Sequence, residues 1–408
     1  MRACIMATSG ECAPSAAPKT IVVERPDQKN DLMDMLRRAA AASGRTPTAL
    51  IQDIVATSFG PGKLSFDEYN LLALYDSARY AGADLRNFVG LRLMREIWDQ
   101  ANFRKDLYGL VGNKIAMTAL FEAHGLPVIP IAAVYSETGA QASAKALHSR
   151  EALAAFLTNA EHFPLFGKPM DSRQSLGSAA FAGCDAATGR LRGDDGRTTA
   201  LDDYIADIVA HYGEGYLFQP RLVPHAATRA ICGNRLATVR VLTLYREGEV
   251  QIFRVCEKMP AGANVADNFW RPGNLLVELD LASGARKSAI SGSGPSIRAY
   301  SEHPDSGAPI VGTAVPNWPS LCELARQGAR ILKDTALIGW DLASTDDGAV
   351  IVEANYTPDM MLPQLADRKG VLDAELRAFL AERRRMEQAW KQSVRRDLKA
   401  SHRASFWN

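Results

Sequence analysis

The chain has 408 residues, 47% of them hydrophobic and 23% charged, with a formal net charge of +1. That length allows two or three packed domains. The charge balance excludes a broad basic field for nucleic acid, and no apolar run approaches the roughly 20 residues that span a bilayer. The first 20 residues contain one arginine and no sustained apolar core, so they do not read as a secretory signal, and residues 1–30 are expected to form a flexible tail. Six cysteines (Cys4, Cys12, Cys184, Cys232, Cys256 and Cys322) stand singly and seven histidines are dispersed, which points away from zinc and from a redox dithiol. Reduced thiols in a cytoplasmic protein are the expectation.

In chain order, helical spacing runs over 31–42, 47–57, 66–81 and 85–102, giving a helical cap over 31–110. The pattern then changes. A compact helix at 113–124 ends at Gly125 and precedes an apolar strand at 127–135. A helix at 149–159 leads to a strand at 164–169 and a polar, glycine-containing stretch at 171–178. A helix at 201–212 and a strand at 215–222 follow, then strands at 237–245 and 250–258 joined by the turn Arg-Glu-Gly-Glu. Another strand is expected at 275–281; residues 291–318 are a long loop that periodicity does not assign, and a helix spans 319–335. Residues 374–399 are a helix of mixed charge, expected as a solvated surface. The mixture predicts an α+β fold with layers around an antiparallel-rich sheet.

The stretch 338–360 carries the densest chemistry. Two apolar segments flank a polar turn, with Asp341 in the first and Glu353 and Asn355 in the second. Alternation along a strand puts Glu353 and Asn355 on one face, and an odd-length loop centred on Asp347 would set Asp341 opposite Glu353. Two carboxylates and an amide are a hard-oxygen set of the kind Mg²⁺ prefers beside a nucleotide. The plain alternative is a hairpin with a solvated acidic edge.

Upstream, Lys114 opens a helix and Lys168 ends a strand inside Phe-Gly-Lys-Pro. Small polar residues surround Gly177, Gln219 lies in an apolar strand, and Thr238 and Arg240 share a strand face. Each has an ordinary reading: a snorkelling lysine, a glycine turn, an arginine ion-paired on a half-buried strand. Together they supply a triphosphate site: two cations, a loop whose backbone can approach phosphates, and an oxygen cluster for metal.

This order of motifs resembles the ATP-grasp superfamily. More narrowly it resembles the sugar-transfer-associated ATP-grasp proteins, through Ala-Thr-Val-Arg-Val-Leu-Thr at 237–243, Asp267-Asn268-Phe269, and the Gly-Trp-Asp…Glu-Ala-Asn ending of 339–358; the likeness covers about 66–372. It implies an ATP-grasp domain over 111–373, with a central lid subdomain at about 136–215, between the cap and a charged C-terminal helix at 374–408. Lys114 and Lys168 would contact the α- and β-phosphates, Ser175, Gly177 and Ser178 would belong to a flexible lid, and Phe218 and Gln219 would lie at the adenine hinge. Asp341, Glu353 and Asn355 would hold one or two Mg²⁺ ions, and Arg240 would face the γ-phosphate or the anionic intermediate. Lys258, Asp267, Asn268 and Arg271 could face the acceptor. Pro220 and Arg221 follow Gln219 where relatives carry an acid for the ribose. Lys258 stands where they carry an arginine, and Arg271-Pro272-Gly273 replaces a glycine pair.

The resemblance implies an ATP- and Mg²⁺-dependent ligase joining a small-molecule carboxylate to an amine. The alternatives are a phosphotransferase on the same fold and a non-catalytic nucleotide-binding partner in polysaccharide or natural-product assembly. No general base is evident, and oligomeric state stays open, a homodimer among the options.

Overall fold

A computed structural model of the chain describes residues 32–138, 145–170, 177–193 and 196–403. It opens with helices α1 (Leu32–Ser43), α2 (Pro47–Phe59), α3 (Phe66–Leu71) and α4 (Leu91–Ala101). Thr46 caps α2 ahead of Pro47, and a Ser65–Glu68 capping box starts α3. The helix expected at 66–81 stops at Leu71. Beyond it Leu72, Leu74, Tyr75 and Tyr80 are buried, and the Tyr80 hydroxyl donates to the Leu72 carbonyl. Tertiary burial outweighs helical spacing there. A short α5 (Tyr108–Val111) leads to α6 (Lys114–Ala123), which Asn113 caps.

A small subdomain follows. Strands β1 (Ala133–Tyr135), β2 (Ala146–Leu147), β3 (Leu165–Pro169), β4 (Ala179–Phe181) and β8 (Tyr216–Pro220) form a sheet in the order β2-β1-β8-β3-β4. Strands β5 (Gly183–Asp185), β6 (Arg190–Arg192) and β7 (Thr198–Ala200) make a second, three-stranded sheet. Helices α7 (Arg150–Thr158) and α8 (Leu201–His211) cover an aromatic core of Tyr135, Phe156, Phe181, Tyr204, Tyr216 and Phe218. Strands β2, β4, β5, β6 and β7, of two or three residues each, are too short for sequence alternation to reveal.

Past α9 (Ala226–Cys232) lies the main sheet: β9 (Thr238–Arg246), β10 (Glu249–Met259), β11 (Leu275–Leu279), β12 (Arg286–Ser291), β13 (Arg298–Tyr300), β14 (Leu337–Thr345) and β15 (Gly348–Asn355). Their order is β13-β12-β11-β10-β9-β14-β15, antiparallel throughout. Strands β12 and β13 fall where sequence periodicity gave no strand. Helix α10 (Trp318–Ile331) packs on one face with Val239, Val241, Trp340 and Leu342. The cap and α11 (Met361–Asp367) pack on the other with Leu242 and Leu244.

Helix α12 (Ala374–Arg403) is not the solvated surface expected of it: Leu376, Phe379, Glu382 and Arg383 are buried. The Arg383 Nε donates to the Ala101 carbonyl at 2.8 Å, and the guanidinium lies over the Phe103 ring. Long basic side chains cover apolar surface with their stems, so a charged sequence can still belong to the interior.

Two stability predictions arise here. A Cβ on Gly328 of α10 would meet the buried Trp340 ring at 2.5 Å, and the Trp340 indole N–H is fixed to Thr243 Oγ1 at 2.9 Å. Gly328→Ala should therefore destabilise by about 1–2 kcal/mol in urea unfolding, overpacking exceeding the ~1 kcal/mol that alanine returns in a helix. Burial pushes the Asp367 carboxyl up to about 6, outweighing the Lys369 backbone N–H and the Arg254 guanidinium. A folded pKa raised above the ordinary value stabilises in acid, and that contribution is lost as pH rises through about 6. Asp367→Asn, which keeps an acceptor for Lys369, should raise Tm by a few degrees at about pH 7.5, the gain vanishing near about pH 4.

Candidate active site, a charged row facing two lysines

Strand register builds the site. Asp341 lies opposite Glu353 and Gly339 opposite Asn355. The loop is not the odd one expected: Thr345 pairs with Gly348 across a two-residue turn, and a bulge between Asp341 and Leu342 shifts the register by one. On its other side Asp341 lies opposite Arg240, and Arg240 opposite Cys256. Directly paired residues project to one face, so Glu353, Asp341 and Arg240 form a row across three strands. Thr238, paired with Lys258, lies two residues along the same face.

The row is tightly bonded. Arg240 grips Asp341 as a fork, Nε to Oδ1 at 2.8 Å and Nη2 to Oδ2 at 3.0 Å, with both side chains under a tenth exposed. The Lys258 ammonium lies 3.2 Å from Asp341 Oδ1 and 3.4 Å from Asp267 Oδ2, and Thr238 donates its hydroxyl to Asp267. Burial alone would raise the Asp341 carboxyl, but Arg240 and Lys258 hold it down at about 2. Burial works against charge on Lys258 as well, yet Asp267 and Asp341 raise its ammonium above the ordinary value. Asp267 itself is raised by burial, with Lys258 opposing. Arg240, for which an ion pair is the plain reading, is thus half of a buried bidentate pair, and both Asp341 oxygens accept from its guanidinium.

The row forms part of the wall of a cavity of about 1200 Å³. Lys114, Lys168, Ser178 and Gln219 line it as well. Lys114 is the first residue of α6, where the helix dipole disfavours a cation. Its Nζ lies 3.5 Å from the Pro169 carbonyl and 3.8 Å from Glu353 Oε1. The Lys168 ammonium is lowered by burial and further by Lys114, with Glu353 pulling the other way. Glu353 lies beside both lysines, and two neighbouring ammonium groups facing one cavity favour a bound anion.

Gln219 is buried and donates to the Ile129 carbonyl at 3.0 Å. Phe218 projects to the opposite face of its strand into the aromatic core and does not line the cavity, so only its backbone could serve a hinge. Gly177 has φ +74°, and its carbonyl accepts from the Tyr216 hydroxyl at 2.8 Å. Ser178 is 1% exposed, and Ser175 lies outside the described residues. Asn268 lines the cavity, its Oδ1 accepting from the Trp270 N–H at 3.2 Å; Arg271 does not line it.

Whether these groups suit Mg²⁺ follows from their unused valences. Among the described residues no group of three or more His, Cys, Asp or Glu could hold a metal; the expected trio contains an amide. Glu353 and Asn355 both line the cavity, and Glu353 is about a third exposed; the buried, unpartnered Asn355 Nδ2 is a donor and ligates no cation, which leaves the amide oxygen for that role. Asp341 accepts three charged hydrogen bonds, which leaves one of its roughly four lone-pair positions. Glu353 and Asn355 with one oxygen position of Asp341 therefore fit a hard cation completed by phosphate and water.

The architecture is that of the ATP-grasp fold, two α+β units with a cavity between them. The sugar-transfer associated ATP-grasp family model matches residues 93–379, and the chain belongs to that family. Among solved structures, the chain is similar to the D-alanine–D-alanine ligase of Bacillus anthracis at 12% identity, over 69% of this chain and 70% of that one, with TM-score 0.39. The corresponding ligase of Coxiella burnetii matches at 13% identity, over 72% and 62%, with TM-score 0.41. An ADP complex of N5-carboxyaminoimidazole ribonucleotide synthetase matches at 14% identity, over 62% and 47%, with TM-score 0.35. No curated protein matches. No described helix is long and apolar enough to cross a membrane.

Sequence reasoning missed the cap's share of the cavity wall, Leu71, Met94 and Trp98, and also Trp270 and Asp359. Nothing in local spacing distinguishes an apolar residue that lines a cavity from one that fills a core.

Proposed function

We propose that the protein is an ATP- and Mg²⁺-dependent carboxylate–amine ligase. The observation that carries this reading is the Glu353–Asp341–Arg240 row sharing one cavity with Lys114 and Lys168. The two lysines offset phosphate charge as point donors. Mg²⁺ held by Glu353, Asn355 and the remaining position of Asp341 would neutralise charge on the transferring phosphoryl group. Arg240 uses Nε and Nη2 on Asp341 and keeps Nη1 for a substrate oxygen.

Near Arg240 and Lys258 the acid's carboxylate oxygen attacks the γ-phosphorus, and the bond from that phosphorus to the β-phosphate oxygen breaks, releasing ADP. The amine, having first released a proton to solvent from its ammonium form, then attacks the acyl carbon through its nitrogen. The carbon–oxygen bond to phosphate breaks, phosphate leaves, and the nitrogen gives up one proton to solvent. Arg240, fixed in advance by Asp341, stabilises the tetrahedral oxyanion without reorganisation.

Purified protein with ATP, Mg²⁺ and pools of acids and amines should release ADP and phosphate together with a condensed product one water lighter than its parts. Absence of ADP release with every pool would overturn the reading. Retention of labelled γ-phosphate in a stable product would replace it with phosphotransfer.

A further inference from the structure

The cavity wall divides by source and by chemistry. The small subdomain and α6 supply Lys114, Lys168 and Gln219. The cap, the 260–274 loop and the start of α11 supply Leu71, Met94, Trp98, Trp270, Met361 and Leu362, all members of, or packed on, one hydrophobic cluster. That cluster includes Leu242, two residues beyond Arg240 on the same face of β9, so the apolar stretch adjoins the charged row directly.

The polar edges of its two indoles are tied back. Trp98 Nε1 donates to the Pro358 carbonyl at 3.0 Å and Trp270 Nε1 to Asp359 Oδ2 at 2.9 Å. What these rings add to the cavity is apolar surface. The ionisable residues that these elements bring to the wall are Glu68, Asp267 and Asp359, Asp267 being paired with Lys258; they contribute no lysine, arginine or histidine to it. Asp359 Oδ1 accepts from the Met361 N–H at 2.7 Å, which fixes the carboxylate and leaves each oxygen a further acceptor position. Asp359 also contributes to the raised Arg240 guanidinium, placing it close to the row.

A ligand's carboxylate belongs with Arg240 and Lys258, and would be repelled by Glu68 and Asp359. A sugar would bury several hydroxyls against aliphatic and indole surface with few partners, at a substantial desolvation cost. An ammonium on an apolar body meets both demands: its charge faces the carboxylates and its body covers the apolar wall. Resting on the ligase reading above, we propose that this stretch is the pocket of the amine substrate. We further propose that the amine is a primary amine on an aliphatic or aromatic body rather than an amino sugar.

The test uses the full chain and three probes: phenethylamine, glucosamine and 3-phenylpropanoate. Binding is followed by tryptophan fluorescence and calorimetry, with and without Mg²⁺ and a non-hydrolysable ATP analogue. Phenethylamine should bind saturably and at least about tenfold more tightly than either other probe. Asp359→Asn, whose single amide oxygen keeps the acceptor for the Met361 N–H while the negative charge and the acceptor for Trp270 are lost, should weaken phenethylamine about tenfold while leaving the affinity for the analogue unchanged. Tighter binding of glucosamine or 3-phenylpropanoate, no saturable phenethylamine binding under either condition, or an Asp359→Asn variant that binds it undiminished would overturn the inference. Loss of nucleotide binding in the unaltered protein would instead sink the ligase reading, and the two failures are read from separate titrations.

Discussion

Asp341→Ala is expected to lower unfolding free energy by about 3–5 kcal/mol, because it strands the buried Arg240 guanidinium and deprives Lys258 of one of its two carboxylates. Urea unfolding should show the midpoint falling with little change in slope. The loss should be larger than that of an ordinary surface charge by an order of magnitude. Arg240→Met combined with Asp341→Leu removes both charges and replaces them with apolar volume. The double variant should recover most of the lost stability, giving a coupling energy of opposite sign to the single-site costs. On the ligase proposal its ATP turnover should be absent, since the fork and the Asp341 oxygen proposed for Mg²⁺ are both gone. If the double variant is as unstable as Asp341→Ala alone, the pair is not what holds this part of the sheet.

Lys168→Met should separate stability from function in the other direction. Burial disfavours the charged ammonium, and the nearby Lys114 disfavours it further. Methionine keeps the stem volume and removes that cost, so thermal stability should hold or rise by about 1 kcal/mol. Affinity for Mg²⁺-ATP should fall about 10- to 100-fold through loss of a charge-assisted contact to phosphate. Calorimetric titration beside a thermal scan reads both. A variant that loses stability while binding nucleotide normally would assign Lys168 to the scaffold.

Some of this site could be read from one-dimensional spacing and some could not. Glu353 and Asn355 share a face because strand alternation is short-range and strict. The opposition of Asp341 and Glu353 was also legible, although its cause was not: the even turn shows in no residue type, and the bulge depends on how the sheet twists. Arg240 and Asp341 were assigned separate tasks because sequence gives no sign that strands 101 residues apart are neighbours; in the folded chain they share two hydrogen bonds. The burial of Arg383 in a helix of mixed charge has the same origin. Charge patterning reports what a helix carries, whereas docking decides which side of it meets water. The strands of 2–3 residues in the small subdomain lie below any periodicity.

The bulge in β15 has a consequence for how this hairpin can vary. Residues 351 and 353 would share a face in a regular strand, yet Ile351 packs with Leu342 in the core beneath α10 while Glu353 lies opposite Asp341. Val352 is the supernumerary residue that produces this half-period phase slip. It makes the hairpin two modules with independent phase: a turn-side half tuned to the core and a cavity-side half tuned to chemistry. Substitutions that improve packing near the turn are thereby free of the parity that fixes Glu353 and Asn355. Removing Val352 would straighten the strand and leave both sets of side chains facing as they do now.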